Sequence, residues 1–99
     1  MRASQLLEKY SDEIRLIARR YEQEGIRNLR VFGSVAKGLD TEESDVDFLV
    51  DTEPQVTLLT IGGMYYELEQ LLGSKIDLIT TGSIPDSVKS QILEEARPI

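Results

Sequence analysis

Asp45 and Asp47, one residue apart, and the pair Gly33-Ser34, ten residues upstream (positions 35 to 44 intervene), are the side chains and turn of this sequence whose types and spacing can do chemistry. In an extended strand successive side chains alternate faces, so positions 45 and 47 project from the same one. Two carboxylates held side by side repel each other and lose solvation, and they call for a proton or a cation between them. An all-oxygen pair at a strand end, beside a glycine-serine turn, suits Mg2+ carrying a nucleoside triphosphate. Taken alone, an Asp-x-Asp is usually a solvated turn and a Gly-Ser pair a generic one. The conjunction carries the reading: turn, fixed spacer, paired aspartates, then the apolar run Val46 to Val50.

Composition narrows the chemistry further. The chain has 99 residues, which is one domain (residues 1–99), and 40% of them are hydrophobic, enough for one modest core. It contains no cysteine and no histidine, which removes disulfides, thiolate or imidazole zinc sites, thiol nucleophiles and Ser-His-Asp triads. Acid–base work falls to carboxylates, Lys or Tyr. A net charge of −7 opposes phosphate backbones, so direct nucleic-acid binding is not expected, while a basic protein surface would be attracted. A nucleotide escapes the objection by arriving with its own Mg2+. No apolar stretch approaches the ~20 residues of a membrane span, and the N-terminus turns charged before a signal-like core forms. A cytoplasmic protein with no membrane contact is expected.

The surrounding elements must position the site. Leu7, Tyr10, Ile14, Ile17 and Tyr21 recur at spacings of 3 and 4, which predicts one amphipathic helix over about 4–24, stopped by Gly25. Ile26 to Phe32 predicts a first strand ended by the Gly33-Ser34 corner, and Val35 to Gly38 a short helical turn whose amides could face phosphate. Gly33 and Gly38 are spaced as in a P-loop, but Leu39 and Asp40 follow where Lys and Ser/Thr are needed, so that motif is absent. After the strand that begins at Asp45, a helix over about 56–72 is predicted, with Leu58, Ile61, Tyr65, Leu68 and Leu72 inward and Gly73 as its stop. Gly62-Gly63 within it costs about 2 kcal/mol relative to two alanines, so either the helix is interrupted there or another backbone or a ligand approaches closely, with close packing favoured over a ligand role. Lys75 to Thr80 predicts a third strand, and Asp77 inside it is out of place in an apolar run. A last helix is predicted with Ser83 or Asp86 as its cap and Pro85 in its first turn, with Val88, Ile92 and Ala96 inward and Pro98 ending it. The order predicts an α/β (α+β) fold on a small three-stranded mixed sheet. Strands two and three, joined by a helical crossover, run parallel; strand one must be antiparallel for its end to reach their starts. Asp77 then joins Asp45 and Asp47, and three carboxylates beside a phosphate corner form a two-metal site.

The pattern Gly33-Ser34, ten residues, Asp45-x-Asp47 and an apolar strand resembles the signature of the DNA polymerase β-like nucleotidyltransferase superfamily. The whole chain resembles its minimal nucleotidyltransferases of the MntA type, antitoxins found beside HEPN-domain toxins. The resemblance implies the polymerase β-like fold, Mg2+ (two ions) on Asp45, Asp47 and Asp77, ATP as substrate, and Gly33 and Ser34 on its phosphates. It implies a HEPN toxin as partner, with AMP placed on its tyrosine, and a hetero-complex with it or a homo-oligomer. One departure stands out: the position after Gly-Ser-x-Ala is commonly arginine and here is Lys37, which keeps the charge but loses the bidentate fork for triphosphate. Two other functions fit the residues: a small-molecule nucleotidyltransferase of the aminoglycoside-modifying kind, and a non-catalytic antitoxin that neutralises by occlusion. The first normally needs more chain, and the second has no need of three aspartates.

Overall fold

A computed structural model describes residues 1–99. The elements run α1 (Ala3–Lys9), α2 (Ser11–Glu22), β1 (Ile26–Phe32), α3 (Gly33–Ala36), β2 (Val46–Thr52), α4 (Leu58–Leu72), β3 (Ile76–Thr80), a 3-10 turn (Thr81–Ser83), α5 (Asp86–Glu95) and β4 (Arg97–Pro98). The sheet order is β3-β2-β1-β4. β1 lies antiparallel to β2, and β2 lies parallel to β3, as the connection logic requires.

The sheet has four strands rather than three. The fourth is the two-residue β4, antiparallel to β1 through Arg30–Pro98 and Val31–Arg97. A proline is tolerated there because an edge strand needs no donor on its outer side. Residues expected to close the last helix are thus partly strand: α5 stops at Glu95, and Ala96 is already extended. That helix also buries less than expected. Ile92 and Ala96 are half-buried and Val88 is exposed.

β2 is the central strand, and its alternation builds two layers. Val46, Phe48 and Val50 point into the main core with Ile14, Ile17 and Tyr21 of α2, Met64, Leu68 and Leu72 of α4, and Ile26 and Val31 of β1. Asp47, Leu49 and Asp51 point the other way. There Leu49 and Ile84 are buried outside the main core cluster, on the side where the 3-10 turn packs against β2.

Two helical expectations are corrected. The helix expected over 4–24 is broken at Tyr10, which caps α1 and precedes α2. The break lets α1 fold back so that Ala3 is buried and the Ser4 amide donates to Asp40 across 2.9 Å. In α4 the inward face is Met64, Leu68 and Leu72, with Ile61 and Tyr65 beside it, and Leu58 lies outside. The helix starts at Leu58 itself, N-capped by Thr57, and no element covers its first turn. The Gly62-Gly63 pair does not interrupt it. A Cβ on Gly63 would stand 3.0 Å from the Tyr21 hydroxyl, which is the close packing the glycines implied. That hydroxyl donates to Glu67, which also binds Arg20, so α2 and α4 are clamped at this point. Burial, then the Glu67 bond and charge, push the Tyr21 phenol up to about 12.

Candidate active site

The site is assembled by register. In the parallel β2–β3 pair Asp47 stands opposite Asp77, and in the antiparallel β1–β2 pair Asp47 stands opposite Phe32, the last residue before Gly33. Asp47 is therefore the common neighbour of the third carboxylate and of the glycine turn. Asp45 lies just before β2, one full pleat away on the same face.

Gly33 shows how tightly this is built. Its φ is +73°, a backbone conformation that L side chains rarely adopt, and a Cβ there would sit 2.4 Å from Asp47 Oδ2. The glycine is needed twice over, to turn the chain out of β1 and to leave room for the carboxylate. α3 begins at Gly33 itself rather than at Val35, so the Gly33 and Ser34 amides form its first turn and have no partner inside the helix.

The electrostatics match the geometry. Asp47 is half-buried, and its carboxyl is pushed up to about 6 by that burial, by the charge of Asp77 and a hydrogen bond to it, and by Asp45. Asp45 is 3.7 Å from the Lys75 ammonium. Asp77 is exposed, so it carries no burial cost, because β3 is an edge strand. The three carboxylates share one face and one end of the sheet without closing into a ready-made cage. Lys37, expected on phosphate, lies 3.3 Å from Glu95 of α5.

Three residues around the site were not singled out from sequence. Lys75 lies two positions before Asp77, and that i, i+2 spacing was available as a signal. Tyr65 of α4, the helix that leads into β3, donates to Glu69 across 3.2 Å; burial and Glu69 raise its phenol, with smaller contributions from Asp77 and Asp45. Asp40, 8% exposed, fastens the loop between Ser34 and Asp45 to α1 by accepting the Ser4 amide. That hydrogen bond holds its carboxyl below the usual carboxylate range. No local pattern announces this contact, which joins residues 36 apart.

A mixed sheet with an aspartate pair at the start of its central strand, faced by a glycine-serine turn, defines a nucleotidyl-transferring class of site. The nucleotidyltransferase domain family matches residues 11–99, and the chain belongs to that family: it is a nucleotidyltransferase. The protein adenylyltransferase MntA of Thermococcus cleftensis is 39% identical over 74 residues, 75% of each chain. A solved structure assigned as a minimal nucleotidyltransferase superposes with a TM-score of 0.82 at 34% identity, covering 94% of this chain and 95% of its own. A crystal structure of the toxin–antitoxin MntA–HpeT shares the fold, with a TM-score of 0.70 at 20% identity over 90% of this chain and 70% of that one.

Proposed function

We propose that this chain transfers AMP from ATP to a hydroxyl, a tyrosine in the first instance, on a HEPN-domain toxin, and is thereby the toxin's antitoxin. The observation that carries the reading is the gathering of Asp45, Asp47 and Asp77 at one sheet end against the side-chain-free turn at Gly33. The similarity to proteins called adenylyltransferases, and to the antitoxin fold of a toxin–antitoxin pair, supports the nucleotide and the class of acceptor.

The donor set fits a divalent cation. Asp47 is held in a state where ionisation is opposed first by burial and then by Asp77 and Asp45, and positive charge there offsets that opposition. Asp45, Asp47 and Asp77 would hold Mg2+, two ions in the complete site, which when bound neutralises the triphosphate and lowers the pKa of the attacking hydroxyl. The Gly33 and Ser34 amides and the Ser34 hydroxyl grip phosphate oxygens. Lys37 reaches the triphosphate by exchanging Glu95 for it. Asp77, exposed and unburdened by burial, accepts the proton of the acceptor hydroxyl. The acceptor oxygen bonds to the α-phosphorus, the bond from α-phosphorus to the bridging oxygen breaks, and pyrophosphate leaves. One domain spanning residues 1–99 carries these groups. No helix is long and apolar enough to cross a membrane, and ATP as substrate fits a reaction in the cytoplasm.

The test is incubation of the purified chain with the protein encoded beside it, ATP and Mg2+, followed by intact-mass measurement. The expected result is one or more AMP additions, made by substoichiometric amounts of this chain and persisting after it is removed. An Asp45→Ala/Asp47→Ala variant should fold and leave the partner unmodified. Equal neutralisation by that variant without a mass change would make occlusion the mechanism. Transfer to an aminoglycoside-like small molecule in place of the protein would make the chain a small-molecule enzyme.

A further inference from the structure

The outward face of α4 is the least explained surface of the molecule. Leu58 and Leu59 are 86% and 87% exposed, and Tyr66 is 62% exposed. At about 100° per residue, positions 58, 59, 62 and 66 share one side of the helix. From Leu58 through Tyr66 there is no charged residue, in a chain where 29% of residues are charged. A solvated helix face in such a chain carries Lys and Glu; this one carries an apolar stripe.

Gly62 lies in the middle of that stripe. A Cβ there would meet nothing within 4 Å, so unlike Gly63 it has no reason inside the protein, and it weakens the helix. A glycine flanked by exposed leucines and a tyrosine lets another backbone come close.

The stripe also has a direction. One turn beyond Tyr66 is Glu69, bonded to Tyr65. α4 ends at Leu72, four residues before Ile76 opens β3, whose second residue is Asp77, so the C-terminal end of the stripe runs toward the sheet end that carries the carboxylates. Glu69, Asp47 and Asp77 are in no ion pair, so that end carries uncompensated negative charge. A second copy of this chain would bring another −7, and if it stacked through the same helix it would bring no cation, because α4 contains no Lys or Arg. A partner helix with an apolar face and Lys or Arg at one end matches both parts of the surface.

We propose that the α4 stripe from Leu58 to Tyr66 docks an apolar helix of the acceptor protein, whose basic end lies over Glu69 and whose acceptor hydroxyl is thereby carried to Asp45, Asp47 and Asp77. The inference rests on the transferase reading and adds to it where the acceptor is held. The decisive variant is Gly62→Leu, because the space it fills is empty in the folded chain. Leu59→Lys and Tyr66→Ala complete the set, and none of the three positions belongs to the catalytic or nucleotide-binding residues.

The experiment follows AMP transfer to the purified neighbouring-gene protein while its concentration is varied, with Mg·ATP affinity from calorimetry and thermal unfolding measured alongside. Gly62→Leu should raise Tm by a few degrees, since it replaces a helical glycine. It should leave Mg·ATP affinity and kcat near those of the parent, and raise KM for the acceptor by about tenfold or more. Leu59→Lys and Tyr66→Ala should show the same split. A KM within about twofold of the parent in all three, a change smaller than ~0.5 kcal/mol, overturns the docking surface while leaving the transferase reading intact. A parent that sediments alone as a dimer, split by Gly62→Leu, overturns it in favour of a second copy. Absence of AMP on the acceptor with the parent itself overturns the transferase reading, and the docking surface with it.

Discussion

Asp47→Asn should stabilise the metal-free protein, and should do so only above about pH 5. The Asp47 carboxyl titrates at about 6 in the folded chain, against about 3.9 in an unfolded one. Between those values the folded state holds a proton that the unfolded state has lost. The stability this contributes is complete below about pH 4 and disappears as pH rises through about 6. An asparagine has no proton to lose, and its amide can still donate to Asp77. Two pKa units correspond to about 2.7 kcal/mol; because the group is half exposed, solvent screening reduces this to roughly 1–1.5 kcal/mol. For a domain of this size that is a rise in Tm of about 5 °C or more at pH 8, shrinking to nothing at pH 4. Thermal and urea unfolding followed by circular dichroism at pH 4, 6 and 8, in EDTA and low salt, measures it. Adding Mg2+ at pH 8 should raise the parent's Tm and leave the variant's nearly unchanged, since only the parent keeps the full set of ligands. A variant less stable than the parent at pH 8, or displaced by the same amount at every pH, would refute the argument that Asp47 is held in charge conflict with Asp77 and Asp45.

Gly33→Ala should cost about 1–2 kcal/mol for its positive φ alone, and more from the carboxylate that its Cβ meets; adding Asp47→Ala should recover the second part and not the first, as a double-mutant cycle by urea unfolding would read. Asp51→Asn should destabilise by about 1–2 kcal/mol at pH 7, because burial raises that carboxyl but hydrogen bonds from Asn28, Arg30 and Thr81 more than offset it. Its folded pKa is lowered, so the loss should be complete above about pH 4 and fade as pH falls below that, in the same unfolding assay. Lys37→Ala should weaken Mg·ATP binding by several-fold, about 1 kcal/mol, less than the loss of a fully free lysine because Glu95 already competes for the ammonium; calorimetry gives the value.

What could be read from sequence was whatever depends on local period and on connection rules. β1 was legible to the residue because Gly25 and Gly33 bracket it; β2 and β3 were legible as short bounded apolar runs, but β2 continues two residues past Val50, to Thr52, and β3 begins at Ile76 rather than Lys75. The mixed sheet followed from requiring one turn and two strand starts to meet, and the register that sets Asp47 opposite Asp77 is the outcome of that same packing. Asp77 was picked out as a misfit inside an apolar strand; it is in fact exposed on an edge, so the reason given for its oddity was burial that does not occur. The break at Tyr10 was invisible because the apolar period continues through it; the backbone leaves the helical region there (φ −107°, ψ 18°), while the Ser4 amide's bond to Asp40 fastens the other end of α1. β4 was invisible because two residues carry no period. In α4 the 3.6-residue period placed Leu58 inward, but an unaccompanied first turn has nothing to pack on. Asn28, left-handed at φ +57°, marks an irregularity in β1 pairing that no turn signal foretold; its side chain donates to Asp51.

That β3 is an outer strand, hydrogen-bonded within the sheet to β2 alone, has a consequence for motion. The strand carrying Asp77 is the one whose release would free Asp47 from its strongest electrical opponent, so charge conflict and one-sided pairing fall on the same element. Without a cation, the backbone amides of Ile76 to Thr80 should exchange with solvent faster than those of β2, and with one bound they should slow together. The ion that serves the chemistry would then also be the fastener of the sheet's edge, and the protein would be most rigid when it is ready to react.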